Sequence, residues 1–228
     1  LYVIGSSDCV LEKNLIARNN VEQLTGYYPA AVKIFNQTHR VVFRDNLVTA
    51  NPNSNGVWYD VGNVDGVFVN NWIEDCQDGL FFEISHGIIC AGNVFVRCNK
   101  GVRILNSRDA RIYHNTFVNA PASFERNERS NAGDHFGWHI TTGPAVAQRA
   151  GHRFVGNLLV ADATFTRPLL AFEQSPALRG RLTESQAVEL DYNGYVRPAA
   201  GLDRPLIAWA PASAESASIS VTTPAELH

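Results

Sequence analysis

GVWYDVGNVDGVFVNNWIEDCQDGLFFEISH, residues 56–86, contains two look-alike segments. Gly56-Val57-Trp58-Tyr59-Asp60 and Gly79-Leu80-Phe81-Phe82-Glu83 each open on glycine, alternate like a β-strand and close on a carboxylate, with the two acids 23 residues apart. If that offset is one turn of a repeating coil, Asp60 and Glu83 are neighbours on one surface.

The rest of the chain supports such a coil. Asparagine recurs at Asn14, Asn46, Asn71, Asn93, Asn115 and Asn157, at spacings of 32, 25, 22, 22 and 42. Three residues before each stands an apolar residue: Leu11, Phe43, Phe68, Cys90, Ile112 and Phe154. A basal period near 22 with insertions on some turns is the signature of a solenoid. One such coil is too small to bury its own apolar face, so coils stack and like residues pile into ladders. The expected fold is therefore all-β, a right-handed parallel β-helix with coils of about 22 residues and long loop insertions. The ladder asparagine fits a tight corner, where its side chain tolerates left-handed backbone and bonds to the next coil.

Alternation assigns the faces of one strand per coil. Val32, Val57, Leu80 and Val102 form one inward ladder, and Ile34, Tyr59, Phe82 and Ile104 another. Lys33, Trp58, Phe81 and Arg103 then point outward, as do Phe35, Asp60, Glu83 and Leu105. An outward face that is aromatic, basic and acidic within a few coils suits a sugar-binding groove. Loops are expected at about 17–29 and 49–55, and the longest insertion at about 119–151. The repeat is expected to become irregular from about 163. The β-helix domain spans 1–197 as part of a longer solenoid, and 198–228, rich in Ala, Ser and Pro, reads as an irregular C-terminal segment.

Composition narrows the class. The 228 residues are 45% hydrophobic and 18% charged, with a net charge of −3, so there is no basic footprint for nucleic acid. No apolar run approaches the roughly 18 residues of a membrane span. The chain begins in mid-pattern and contains no Met, and reads as mature or partial. A secreted or periplasmic location is expected, along with association with further chain segments or copies. Cys9, Cys76, Cys90 and Cys98 lack zinc spacing. Cys76 and Cys98, 22 residues apart, are expected as stacked buried thiols, with a disulfide between them left open.

The acids carry the chemistry. Strands of adjacent coils lie about 4.8 Å apart, which would place the two carboxyl groups at about 5 to 6 Å. Retaining glycosidases hold theirs at about 5 to 5.5 Å, inverting ones at about 6.5 to 9.5 Å. Stacked acids repel, so one pKa rises and supplies the proton donor. Trp58 and Phe81 are placed to stack on a sugar ring, and Arg103 to bind a hydroxyl or carboxylate. His86, His135, Trp138 and His139 are further candidates for substrate binding, while His114 beside a ladder Asn reads as structural. Hydrolysis by this pair needs no metal or cofactor, and the partner is an oligo- or polysaccharide.

The run Trp58-Tyr59-Asp60, followed 23 residues on by Phe81-Phe82-Glu83-Ile84 and then His86-Gly87, resembles glycoside hydrolase family 120, the β-xylosidases built on a right-handed β-helix. Related β-helix fucosidases and xylanases are similar in outline. The resemblance implies Asp60 as nucleophile and Glu83 as general acid/base. Phe136-Gly137-Trp138-His139 and Thr142-Gly143-Pro144 look like elements of bacterial β-helix hydrolase-like sequences. Two other readings stay open. One is a polysaccharide lyase with Ca²⁺ on Asp60 and Glu83 and with Arg103 or Lys33 as base. The other is a non-catalytic carbohydrate-binding β-helix.

One joint decides whether the acids stack. Asn71 to Asn93 is 22 residues but Asp60 to Glu83 is 23, so an extra residue lies between Asp60 and Asn71. In a loop, expected at Gly62-Asn63-Val64-Asp65-Gly66, it is harmless. In a strand it would turn one acid inward.

Overall fold

Three short strands recur in each coil, and each bonds to its counterpart one coil away rather than to its neighbours in sequence. The computed structural model describes residues 1–132, 142–209 and 219–227. Its strands form three sheets of nine, seven and seven. One coil supplies Asn55–Asp60, Val64–Val69 and Trp72–Glu74 to the first, second and third sheets; the next supplies Asp78–Glu83, His86–Ala91 and Val94–Val96. The strands pair in parallel throughout, except where Ile219–Val221 closes the first sheet antiparallel to Ile207–Trp209. This is the expected right-handed parallel β-helix, and helix among the described residues is limited to short 3₁₀ turns.

The core follows the ladders read from the sequence. Val32, Val57, Leu80 and Val102 are paired in register and fully buried, as are Ile34, Tyr59, Phe82 and Ile104. In the second sheet Leu11, Phe43, Phe68, Cys90, Ile112 and Phe154 align from coil to coil. Phe95 and Phe117 stack at 5.0 Å in the third. Cys76 and Cys98 are buried free thiols. Gly79 is required where its strand begins, because a Cβ there would meet the Gly101 carbonyl oxygen at 2.6 Å.

Asparagine binds the coils at one corner. Each ladder Asn donates its side-chain amide to the Oδ1 of the next, at 2.9 Å for Asn71 to Asn93 and for Asn93 to Asn115. The left-handed backbone, however, belongs to the residue before it: Lys13, Asp45, Asn70, Gly92, His114, Gly156 and Tyr192 have positive φ. The ladder Asn is thereby freed to aim its amide along the stack. A seventh rung, Asn193, extends the ladder from Asn157 at 3.1 Å.

Three boundaries differ from expectation. Ala122–Arg126 is a strand of the first sheet, so the long insertion begins only after it. The repeat does not dissolve near 163: Leu170–Gln174, Ala187–Asp191 and Gly194–Val196 complete another coil. Loops lengthen its period, hiding it from a search near 22 residues. Within 198–228, Ile207–Trp209 continues the first sheet.

Candidate functional site

The site grows from the register of the first sheet. Glu83 pairs with Asp60 and Phe81 with Trp58 across adjacent strands, so alternation turns both acids to the same outward face. The extra residue lies between strands, where Val61-Gly62-Asn63 in one coil answers Ile84-Ser85 in the next, and Val64 then pairs with His86. It thus falls at the start of the expected loop, while Val64, Asp65 and Gly66 are in a strand. The residue after each acid is β-branched and left-handed: Val61 at φ 53° and Ile84 at φ 47°. Flanking coils use asparagine at this corner, Asn36 and Asn106. A β-branched residue is strained there, and the compensation is visible. Ile84 is buried against the long insertion, so closely that a Cβ on Gly143 would approach its Cγ2 to 2.2 Å.

The outward face is covered rather than open. Trp58, Phe81 and Leu105 form a second apolar cluster with Tyr27 and Ala30. Two excursions arrive from opposite edges of the sheet. The segment before Ala30–Phe35 brings Tyr27, and the one after Ala122–Arg126 brings Arg129. Glu83 is 0% exposed; it accepts hydrogen bonds from the Tyr27 hydroxyl, from Trp58 Nε1 at 3.2 Å and from Arg129 Nη1 at 2.5 Å. Asp60 is 8% exposed and forms an ion pair with Lys33 Nζ at 3.0 Å. That ammonium also lies 3.6 Å from the centroid of the Trp58 ring.

The two acids therefore sit at unlike depths. Burial, then the Asp60 charge, push the Glu83 carboxyl up to about 7, against the opposing pull of Arg129 and Tyr27. Lys33 likewise sets a positive charge against Asp60, which is less deeply buried than Glu83. Burial raises the Tyr27 hydroxyl as well, which keeps it a donor.

The other expected residues divide. Trp58 and Phe81 are not open sugar platforms: their rings stack on each other at 5.1 Å, and Tyr27 meets both edge-on. Arg103 does not reach Glu83. It binds Glu125 at 2.9 Å, faces Asp78 at 3.5 Å and lies over Phe81. Burial pushes the Glu125 carboxyl up, but Arg103 and Lys100 outweigh it and hold it below the usual range. His86 opens a strand of the second sheet, and its Nε2 meets the Thr142 carbonyl oxygen at 2.7 Å, pinning the insertion instead of the substrate. Burial lowers its pKa. His135, Trp138 and His139 lie outside the described residues. Tyr27 and Arg129 are the site residues sequence reasoning missed. Tyr27 stood in an expected loop, and nothing in the repeat singles out Arg129.

A family model described as "Periplasmic copper-binding protein (NosD)" matches residues 1–157, and the chain belongs to that family. No curated protein matches it. The family's periplasmic description agrees with the secreted or periplasmic location expected for the chain. No helix among the described residues is long and apolar enough to cross a membrane. The described residues do not fit a copper centre, whose preferred donors are imidazole and soft sulfur. No three His, Cys, Asp or Glu side chains among them converge. Cys76, Cys90 and Cys98 are packed in the core, His152 is buried with Nδ1 accepting from the Ala110 N–H, and the sequence contains no Met.

Proposed function

We propose that this NosD-family β-helix is a retaining glycoside hydrolase, with Asp60 as nucleophile and Glu83 as general acid/base. One observation carries the reading: two carboxylates are paired across adjacent strands, each with its own cation, and the fully buried Glu83 is raised to about 7. Double displacement requires such a pair. Asp60 forms a bond to the anomeric carbon as the glycosidic bond breaks, and Glu83 gives its proton to the leaving oxygen. Glu83 then takes a proton from water, which attacks the anomeric carbon and releases Asp60. The strand spacing of about 4.8 Å supports retention over inversion. Tyr27 and Arg129 cap Glu83, so under this reading substrate has to displace them to reach it. The resemblance to β-xylosidases makes aryl β-xylosides the first substrates to try. Asp60→Ala is expected to lower turnover by about a thousand-fold or more, with partial recovery in azide as a glycosyl azide. Undiminished turnover in this variant would overturn the assignment.

The complete burial of Glu83 favours a second reading, a non-catalytic carbohydrate-binding β-helix in which Glu83 only anchors the two excursions. Under that reading the wild type binds glycans, releases no product from any of them, and Asp60→Ala leaves product formation at the same zero.

A further inference from the structure

Tyr27 borders a second space. Beside it a cleft of about 210 Å³ is lined by Asn55, Gln77, Asp78, Phe81 and Arg103. At about 30 Å³ per water this is room for about seven, the scale of one sugar ring. Asp78 is 2% exposed, and its Oδ1 has no hydrogen-bond partner among the described residues. Its Oδ2 faces Arg103 Nη1 at 3.5 Å. Asn55, 5% exposed, stands beside it on the lining of the same cleft. Buried acceptors are nearly always paired, so the idle Asp78 oxygen on this cleft points to a donor-bearing ligand.

The charges restrict what that ligand is. An anion would sit against the Asp78 carboxylate, and a cation against the Arg103 guanidinium that faces it. A neutral molecule with adjacent hydroxyls meets neither penalty, because each hydroxyl both donates and accepts. We propose that this cleft is a subsite for one neutral pyranose. One ring hydroxyl donates to Asp78 Oδ1, and a neighbouring hydroxyl pairs with the Asn55 amide. Tyr27, whose hydroxyl binds Glu83 and whose ring borders the cleft, separates this subsite from the paired acids. The inference rests on the carbohydrate part of the proposed function and not on its hydrolytic step.

Titration calorimetry of the full chain with methyl β-xyloside, methyl β-glucoside and methyl β-glucuronide tests it. The wild type is expected to bind the neutral glycosides with a millimolar Kd and the glucuronide at least about ten-fold more weakly. Asp78→Ala and Asn55→Ala are each expected to weaken neutral binding about ten-fold, while Arg153→Ala, in the second sheet, binds as the wild type does. Should Asp78→Ala fail to fold, as judged by its melting curve, Asn55→Ala decides alone. Unchanged affinity in the folded cleft variants, no wild-type binding at tens of millimolar, or preference for the glucuronide would each overturn the subsite. The two proposals fail separately. Binding that depends on Asp78 without product release sinks hydrolysis alone, and hydrolysis whose KM ignores both cleft variants sinks the subsite alone.

Discussion

Glu83 shows how a single residue's setting becomes a measurable property of the protein. Its carboxyl is held at about 7 in the fold against an ordinary 4.5, chiefly by burial and secondly by Asp60. Below 4.5 both folded and unfolded chains carry the proton, and the group is neutral to stability. Between 4.5 and 7 the unfolded chain ionises while the folded one keeps its proton, so stability falls as pH rises through that window. Relative to Glu83→Gln, the wild type is expected to lose up to about 3 kcal/mol across it, read from urea melts at several pH values. A pH-independent difference would mean that Arg129 keeps Glu83 ionised throughout. If Glu83 is the general acid, kcat/KM also declines above about pH 7. At this scale the sequence was half legible. It placed Asp60 and Glu83 together, because alternation and register are local rules. It did not say that Arg103 would bind Glu125 or His86 the Thr142 carbonyl, since one-coil proximity does not say which acid a long cation reaches or which carbonyl an imidazole finds.

Among the elements, the asparagine ladder does the joining. Asn93 accepts from the Asn71 N–H and side-chain amide, and donates to the Phe68 carbonyl and Asn115 Oδ1. Asn93→Ala leaves the Asn71 N–H and the Phe68 carbonyl buried without these partners. The expected destabilisation is about 3 kcal/mol by chemical denaturation, and a loss below about 0.5 kcal/mol would show the rungs to be dispensable. The turn after Asp60 teaches the complementary lesson. Its added residue was countable from the sequence, and its place between strands was needed for the acids to share a face. The left-handed backbone at Val61 and Ile84 was not readable, because β-branched residues disfavour it and Ile84 is held there by contact with the insertion.

Across the whole molecule, each coil touches chiefly its two neighbours, so stability is a sum of nearest-neighbour terms. Amides of Asp78–Glu83 and His86–Ala91, flanked by coils on both sides, are expected to exchange with solvent more slowly than those of Gly194–Val196, which pairs on one side only among the described strands. Uniform exchange along the solenoid would indicate all-or-none opening instead. The sequence by itself determined the β-helix, its interior ladders and the pairing of Asp60 with Glu83. Stacked coils repeat one local pattern, and a repeat is visible in one dimension. Only the tertiary structure decided that the pair is covered. Tyr27 and Arg129 reach Glu83 from 56 and 46 residues away, on excursions that belong to no repeat. Their positions are set by packing and charge on the outward face, a physics without period, and so without a trace in the spacing of residues.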